Sequence, residues 1–394
     1  LHPRVRRQRQ MCIRDRIISM GFILFLFTVF TGITVHATET QNSDGNLIKG
    51  AVSGILVEQS TGEILYRKDI DKRLSPASMT KIMTLLLIYE AMENGAFTKD
   101  TMLTTSEYAA GMGGSQVYLK VGEKISVDEA LKCICIASAN DCAVLMAEEI
   151  AGSEEQFVRK MNERATELGC KNTNFSDCTG LTSQNHYTSA YDMSLMAKEL
   201  LIKHPDVTNY TTLKEDYIRK DTSSPFWLVN TNKMIGRVEG LNGLKTGYTS
   251  FSGYCITLSM QKEDMKLISV VFGYDKATTR NAESLELLKY GFSNYKLEKI
   301  IAKNTVLESV DHILYKNRMD VIVKEDIYHL CKKSENHTYT YTYDYEIRDN
   351  ACEGKIKVYL NDELIQEGDV TTKEPVERKN FWELILCVVR ECFV

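Results

Sequence analysis

The chain has 394 residues, 43% of them hydrophobic and 26% charged, with a formal net charge of −5. This is an ordinary globular composition with enough length for about two domains. It excludes a low-complexity or fibrous chain, and the acidic balance gives no electrostatic footprint for nucleic acid.

At the N-terminus, Arg14 and Arg16 precede an apolar run from Ile17 to Val35, which closes on Val35-His36-Ala37. A positive flank, an apolar stretch and a small-residue ending predict a signal peptide over residues 1–37, cleaved after Ala37. The alternative is an uncleaved anchor, since about 19 apolar residues can span a bilayer. On either reading the rest of the chain is exported. The first ten residues, LHPRVRRQRQ, fit neither a signal region nor a domain, so Met11 or Met20 is the expected start. Of the 11 cysteines Cys12 goes with the signal, and an exported chain with the other ten could be a disulfide scaffold. Such scaffolds are short, however. Cys133, Cys135, Cys142 and Cys255 lie inside apolar runs, where a free thiol behaves as a small hydrophobe. Cys133-Ile134-Cys135 lacks zinc spacing. Free core thiols are expected, with no metal and no cofactor.

After a polar linker at 38–48, AVSGILVEQ and EILYRKDI flank the turn Ser60-Thr61-Gly62 and predict a β-hairpin. Helical spacing takes over behind Ser78 and closes at Gly95. Further helices are expected over 127–137, 141–151 and 153–168, the last ending at Gly169 as a C′ glycine. Ser189 and Asp192 resemble a capping box that opens the helix MSLMAKELL. GYCITLSM and MKLISVVFGY, separated by Gln261–Asp264, read as paired central strands, and AESLELLKYGF as a helix over 282–292. Helices covering a mainly antiparallel sheet satisfy this order, an α/β (α+β) domain over 45–295.

From about 296 the texture changes to short alternating runs, a small all-β domain over 296–371 expected to be a sandwich. In TYTYTYDY the tyrosines are expected to face inward, or else to form a sugar-stacking face. Residues 372–394 join a charged linker to FWELILCVVRECFV, a helix too short to span a bilayer. It suits a membrane interface, or a place against the β-domain.

The candidate chemistry starts at 75-SPASMTKIMT-84. A serine hydroxyl is a poor nucleophile until a base takes its proton, and a lysine can serve if burial lowers its pKa. Ser78 and Lys81 at i and i+3 share a helix face. A serine in the first turn also keeps its N–H free near the positive end of the dipole, where it can help hold an oxyanion. S-x-x-K recurs at Ser259–Lys262 and Ser293–Lys296. Ser259 lies on a strand, where an offset of three points side chains to opposite faces, and Ser293 ends a helix. Ser138-Ala139-Asn140, between two expected helices, offers a hydroxyl and an amide that could bridge the lysine and a substrate; capping of the helix behind it is the alternative. S-x-N also occurs at Ser183–Asn185 and Ser334–Asn336. Lys245-Thr246-Gly247-Tyr248 opens the strand pair. Lys245 and Thr246 can hold a carboxylate, Gly247 permits close backbone approach, and the N–H of Tyr248 can complete an oxyanion hole. An ordinary glycine turn is the alternative.

The order S-x-x-K, S-x-N, K-T-G is that of penicillin-binding proteins and class A β-lactamases. With GGSQVYL, FVRKMNERATELGCKNTNF, HYTSAYD, GLKTGYT and GKIKVYL, the chain resembles the low-molecular-mass penicillin-binding proteins that are D-alanyl-D-alanine carboxypeptidases, over about 45–371. The resemblance implies a penicillin-binding fold and an acyl-enzyme on Ser78 with Lys81 as base. Ser138 and Asn140 would assist proton transfer and substrate placement. Lys245 and Thr246 would receive the terminal carboxylate, helped by Arg280, which stands ahead of the last expected helix of the domain. It implies a peptidoglycan stem peptide ending in D-Ala-D-Ala as substrate, β-lactams as acylating agents, and a place outside the cytoplasmic membrane. Two stretches depart from the family pattern: Ala139 stands where many relatives have glycine, and Cys178-Thr179-Gly180-Leu181 where relatives often read Asn-Pro-Gly-Leu. His186 reads as structural, because Tyr187 and a helix cap follow it. A β-lactamase of the same fold and a non-catalytic β-lactam sensor are the rival readings.

Overall fold

The computed structural model describes residues 46–181, 185–348 and 351–392; the expected signal peptide over 1–37 lies outside them. The hairpin forms as β1 (Ser53–Glu58) and β2 (Ile64–Lys68). A 3-10 turn, Ala77–Thr80, leads into α1 (Lys81–Glu93). Then come α2 (Val127–Lys132), α3 (Asn140–Ala151), α4 (Glu154–Glu167) and α5 (Ala190–Lys203). Strands β3 (Leu241–Thr249), β4 (Gly253–Lys262) and β5 (Met265–Tyr274) follow, then α6 (Ala277–Asn294). The sheet order is β2-β1-β5-β4-β3, with every pairing antiparallel.

The central strands read as continuous apolar runs because both faces of the sheet are covered. Side chains alternate across a strand. Ile55, Val57, Ile268 and Val270 join one core with α1 and α5. Leu56, Leu267 and Val271 join another with α6. Residues Lys81 to Tyr89 of α1 are all buried, so α1 is the centre of its layer and carries no polar stripe. On the other side, α6 sits so close that a Cβ on Gly291 would stand 2.6 Å from Leu267 and 2.9 Å from Leu56.

Two helices begin or end otherwise than expected. The helix expected over 127–137 widens after Lys132: Cys133–Ala137 winds as a π-helical turn and ends in Ser138, whose φ of 63° is left-handed. The wider turn lets Ala139 N–H close on the Cys133 carbonyl. At α5 the Ser189 hydroxyl caps Asp192 N–H. The reciprocal half of a capping box is replaced, because the Asp192 carboxylate accepts from Asn172 N–H and the Thr173 hydroxyl.

Between α6 and the last helix, the described residues form β-strands and turns. Strands β6 (Tyr295–Ile301) and β9 (Ile327–Lys332) pair, and β7 (Val306–Val310), β8 (Met319–Val323), β10 (Tyr339–Arg348), β11 (Ala351–Leu360) and β12 (Glu363–Thr372) form a sheet in the order β7-β8-β12-β11-β10. Their common core holds Ile301, Ile327, Val321, Ile356, Val358 and Val370. Tyr339, Tyr343 and Tyr345 pack against that core, while Tyr341 is half exposed. Helix α7 (Phe381–Cys392) closes the described chain. Among the described residues no helix is long and apolar enough to cross a membrane. The cysteines Cys133, Cys135, Cys142, Cys178, Cys255, Cys331 and Cys352 are buried free thiols.

Because α6 approaches the sheet through Gly291, Gly291→Leu should overpack the interface. Urea unfolding is expected to read a loss of about 1–3 kcal/mol, whereas an unchanged midpoint would mean that the helix can back away freely.

Candidate active site

Ser78 does not sit in the first turn of the α-helix, as its sequence position suggests, but in the 3-10 turn just ahead of it. Ala77 before it has φ of 47°, a left-handed conformation that non-glycine residues rarely adopt. The turn is fixed by the packing of its neighbours. A Cβ on Gly180, itself at φ +80°, would fall 1.8 Å from the Ala77 carbonyl oxygen. One on Gly247 would fall 2.5 Å from the Pro76 carbonyl oxygen. Gly247 therefore serves to bring β3 against the serine-bearing turn. As the edge strand, β3 presents one row of backbone groups that β4 does not take.

Lys81 is completely buried. Its Nζ lies 2.6 Å from Asn140 Oδ1, 2.9 Å from the Thr179 carbonyl and 3.2 Å from Ser78 Oγ. The Asn140 amide is oriented by its own Nδ2, which donates to the Gly113 carbonyl at 2.7 Å. Burial brings the Lys81 amine down to about 8, against a partial upward pull from Cys178, Asp177 and Asp141. A neutral amine has two N–H groups and one lone pair. With the two carbonyl-type oxygens taking the N–H groups, the lone pair is left for the serine hydroxyl.

Ser138 and Asn140 do not cap the helix behind them: the N-cap is Ala139, with no side-chain bond. Asn140 instead serves Lys81, and the Ser138 hydroxyl is buried with no hydrogen-bond partner among the described residues. Asp141 ties down the facing loop by accepting from Val117 and Leu119 N–H.

On β3, Lys245 is buried and its Nζ lies 3.3 Å from the Thr246 carbonyl. Burial, with the charges of Lys81 and Arg280, pushes its amine well below the usual lysine value. Thr246 Oγ1 donates to Thr231 Oγ1 at 2.9 Å. Tyr248 is 56% exposed and stacks on Tyr254 at 4.2 Å between ring centroids. Arg280, expected ahead of the last helix of this domain, lies inside it and is buried. Its Nη1 donates to the carbonyl of Cys255, whose cross-strand partner is Gly247. His186 is buried; Ser176 N–H donates to its Nδ1, so Nε2 carries the hydrogen that goes to Thr80 Oγ1. That is a structural role.

In the sequence, residues 178–181 stand out only as a departure from the family pattern, and the role of the 177–180 loop goes unseen. Asp177 Oδ1 accepts from Thr179 N–H, the Thr179 hydroxyl and Gly180 N–H. This Asx turn aims the Thr179 carbonyl at Lys81, and Asp-x-Thr-Gly is its sequence signal. A cavity of about 490 Å³ lined by Arg73, Ser75, Tyr187 and Phe251 includes none of Ser78, Lys81 or Lys245; the chemistry lies between the Ser78 turn and β3 instead.

Comparison with known proteins agrees with this architecture. Residues 38–276 match the family described as D-alanyl-D-alanine carboxypeptidase (Peptidase_S11), and residues 295–378 match the C-terminal domain of penicillin-binding protein 5. The chain is thus a low-molecular-mass penicillin-binding protein that belongs to the D-alanyl-D-alanine carboxypeptidase family of serine peptidases. It is 41% identical over 375 residues to D-alanyl-D-alanine carboxypeptidase DacF of Bacillus subtilis, covering 93% of this chain and 96% of that one. Penicillin binding protein 5 from Haemophilus influenzae matches with a TM-score of 0.69 at 27% identity, over 83% of this chain and 98% of its own. Penicillin-binding protein D2 from Listeria monocytogenes, in its ampicillin-bound form, matches with a TM-score of 0.56 at 28% identity, over 63% of this chain and 99% of its own.

Gly180→Ala is expected to destabilise the protein by more than about 2 kcal/mol, since it combines a left-handed backbone with a clash against backbone. The thermal midpoint checks this, and a neutral result would mean that the loop does not bear on the Ser78 turn.

Proposed function

We propose that this protein removes the terminal D-alanine from peptidoglycan stem pentapeptides through an acyl-enzyme on Ser78, and that β-lactams acylate the same oxygen. The observation that carries this is the buried Lys81 amine, 3.2 Å from Ser78 Oγ with its other two contacts accepting N–H. Neutral Lys81 takes the hydroxyl proton as Oγ attacks the penultimate D-alanine carbonyl carbon. The oxyanion faces backbone N–H groups of the Ser78 turn and of Tyr248 on β3. Collapse breaks the peptide bond, and the proton passes through the Ser138 hydroxyl to the departing D-alanine amine. Water then attacks the acyl carbonyl with Lys81 again as base, and Ser78 is regenerated.

Lys245, Thr246 and Arg280 receive the terminal carboxylate. A buried amine held below its usual pKa chiefly by burial gains a proton readily when an anion arrives, so carboxylate binding restores the Lys245 charge. The ampicillin-bound form of the Listeria relative supports β-lactams as acylating agents here.

The protein works outside the cytoplasmic membrane and rests on it through α7. Phe381, Trp382, Leu386, Val388 and Val389 of that helix are exposed. It is too short to span but suits an interface. Arg378 and Lys379 just ahead of it add attraction to anionic lipid.

Incubation with a diacyl-L-Lys-D-Ala-D-Ala peptide should liberate D-alanine. Ser78→Ala should reduce that rate by more than about 10³-fold and abolish covalent penicillin labelling. Lasting penicillin labelling with no D-alanine release would favour a sensor, and rapid β-lactam turnover a β-lactamase. Co-sedimentation with phosphatidylglycerol vesicles should be lost in Leu386→Glu/Val389→Glu; unchanged sedimentation of that variant would remove α7 as the membrane contact.

A further inference from the structure

The β-domain holds a group of side chains that the peptidase reading does not use. His329 and Cys331 are two residues apart on β9, so alternation places them on one face of the strand. The segment that leaves β9 brings His337 back over that face. One nitrogen from each imidazole and the Cys331 sulfur all lie within 4.8 Å of one another. The His329 and His337 rings stand 5.5 Å apart between centroids.

We propose that His329, Cys331 and His337 form a zinc-binding site with one position left for water. The donor set is that of zinc: two imidazoles and one thiolate, with a fourth place open. The surroundings are those of a built site. The Tyr339 hydroxyl holds Nδ1 of His329 at 3.0 Å, the kind of outer contact that fixes a ligating imidazole. Nε2 of His337 is shielded from solvent and makes no hydrogen bond among the described residues, with the Glu335 carboxylate 3.4 Å off. Cys331 Sγ is buried 3.5 Å from Glu298 Oε2, which also accepts from the Tyr339 hydroxyl at 3.2 Å. Lys296, 3.2 Å from the same carboxylate, balances its charge. Binding replaces the thiol proton by the metal and releases that proton to solvent. The ion would clip the 333–338 segment to the β6–β9 pair and so brace one end of the β-domain. The H-x-C spacing alone does not mark a zinc site, because the third ligand is brought in by the fold of the following segment.

The test is cobalt and zinc binding by the purified full chain under reducing conditions. One equivalent of Co²⁺ should bind with thiolate-to-cobalt charge-transfer absorption, and Zn²⁺ should displace it. Cys331→Ser should lose that absorption, His337→Ala should weaken binding by more than about tenfold, and Cys352→Ser, which alters another buried thiol of the domain, should change neither. Circular dichroism confirms that the variants are folded. Should Cys331→Ser not fold, His337→Ala decides the matter, since that ring is partly exposed. Absence of stoichiometric cobalt in the wild type, absorption that survives Cys331→Ser, or affinity unchanged in His337→Ala overturns the site.

Discussion

A lysine amine held out of water beneath a serine is the constraint on which the rest of the site depends. An isolated buried ammonium is costly, and a buried polar group must be hydrogen-bonded. Lys81 meets both conditions through two oxygens from distant segments, Asn140 Oδ1 and the Thr179 carbonyl. Neither oxygen is charged, so burial remains the dominant influence and the pKa falls to about 8. Formal carboxylates at those two places would have held the amine charged and useless as a base.

The fold can be read outward from that requirement. Asn140 is aimed by the Gly113 carbonyl, and Thr179 by the Asx turn at Asp177. The Ser78 turn is seated by two glycines, Gly180 and Gly247, on either side. Sheet edge, helix start and two loops thus meet at one point, and each depends on a contact that a single Cβ or a reversed amide would spoil. Tertiary packing, more than helix propensity, decides the conformation at Ala77 and Ser138, both of which are left-handed without being glycine.

Much of this was legible in the sequence. The central strands announce themselves as apolar runs with turn residues between them, and three short motifs name the residues at the site. Ser78, Lys81 and Asn140 come together as hydrogen-bonded neighbours, and Lys245 lies close enough for its charge to oppose that of Lys81. What escaped was anything fixed by close approach between segments remote in sequence. At Gly247 the sequence shows no trace of the close approach of Pro76, for which its missing side chain makes room. By apolar spacing Arg280 stands ahead of a helix, whereas it is buried within one, since α6 starts earlier than that spacing begins. The π-helical turn before Ser138 has no periodic signature, because one extra residue per turn is invisible in an apolar run such as CICIA.

Lys81 is proposed to act as a neutral base. The pH dependence of the acylation rate by a slow β-lactam measures this most directly. Below the Lys81 pKa each unit of pH raises the neutral fraction about tenfold, and above it the fraction levels off. The rate should therefore climb with unit slope and flatten near the value of about 8 set by burial. In Asn140→Asp, the added carboxylate should move that break to higher pH. A rate that is flat through this range, or a break that Asn140→Asp leaves in place, would contradict the account.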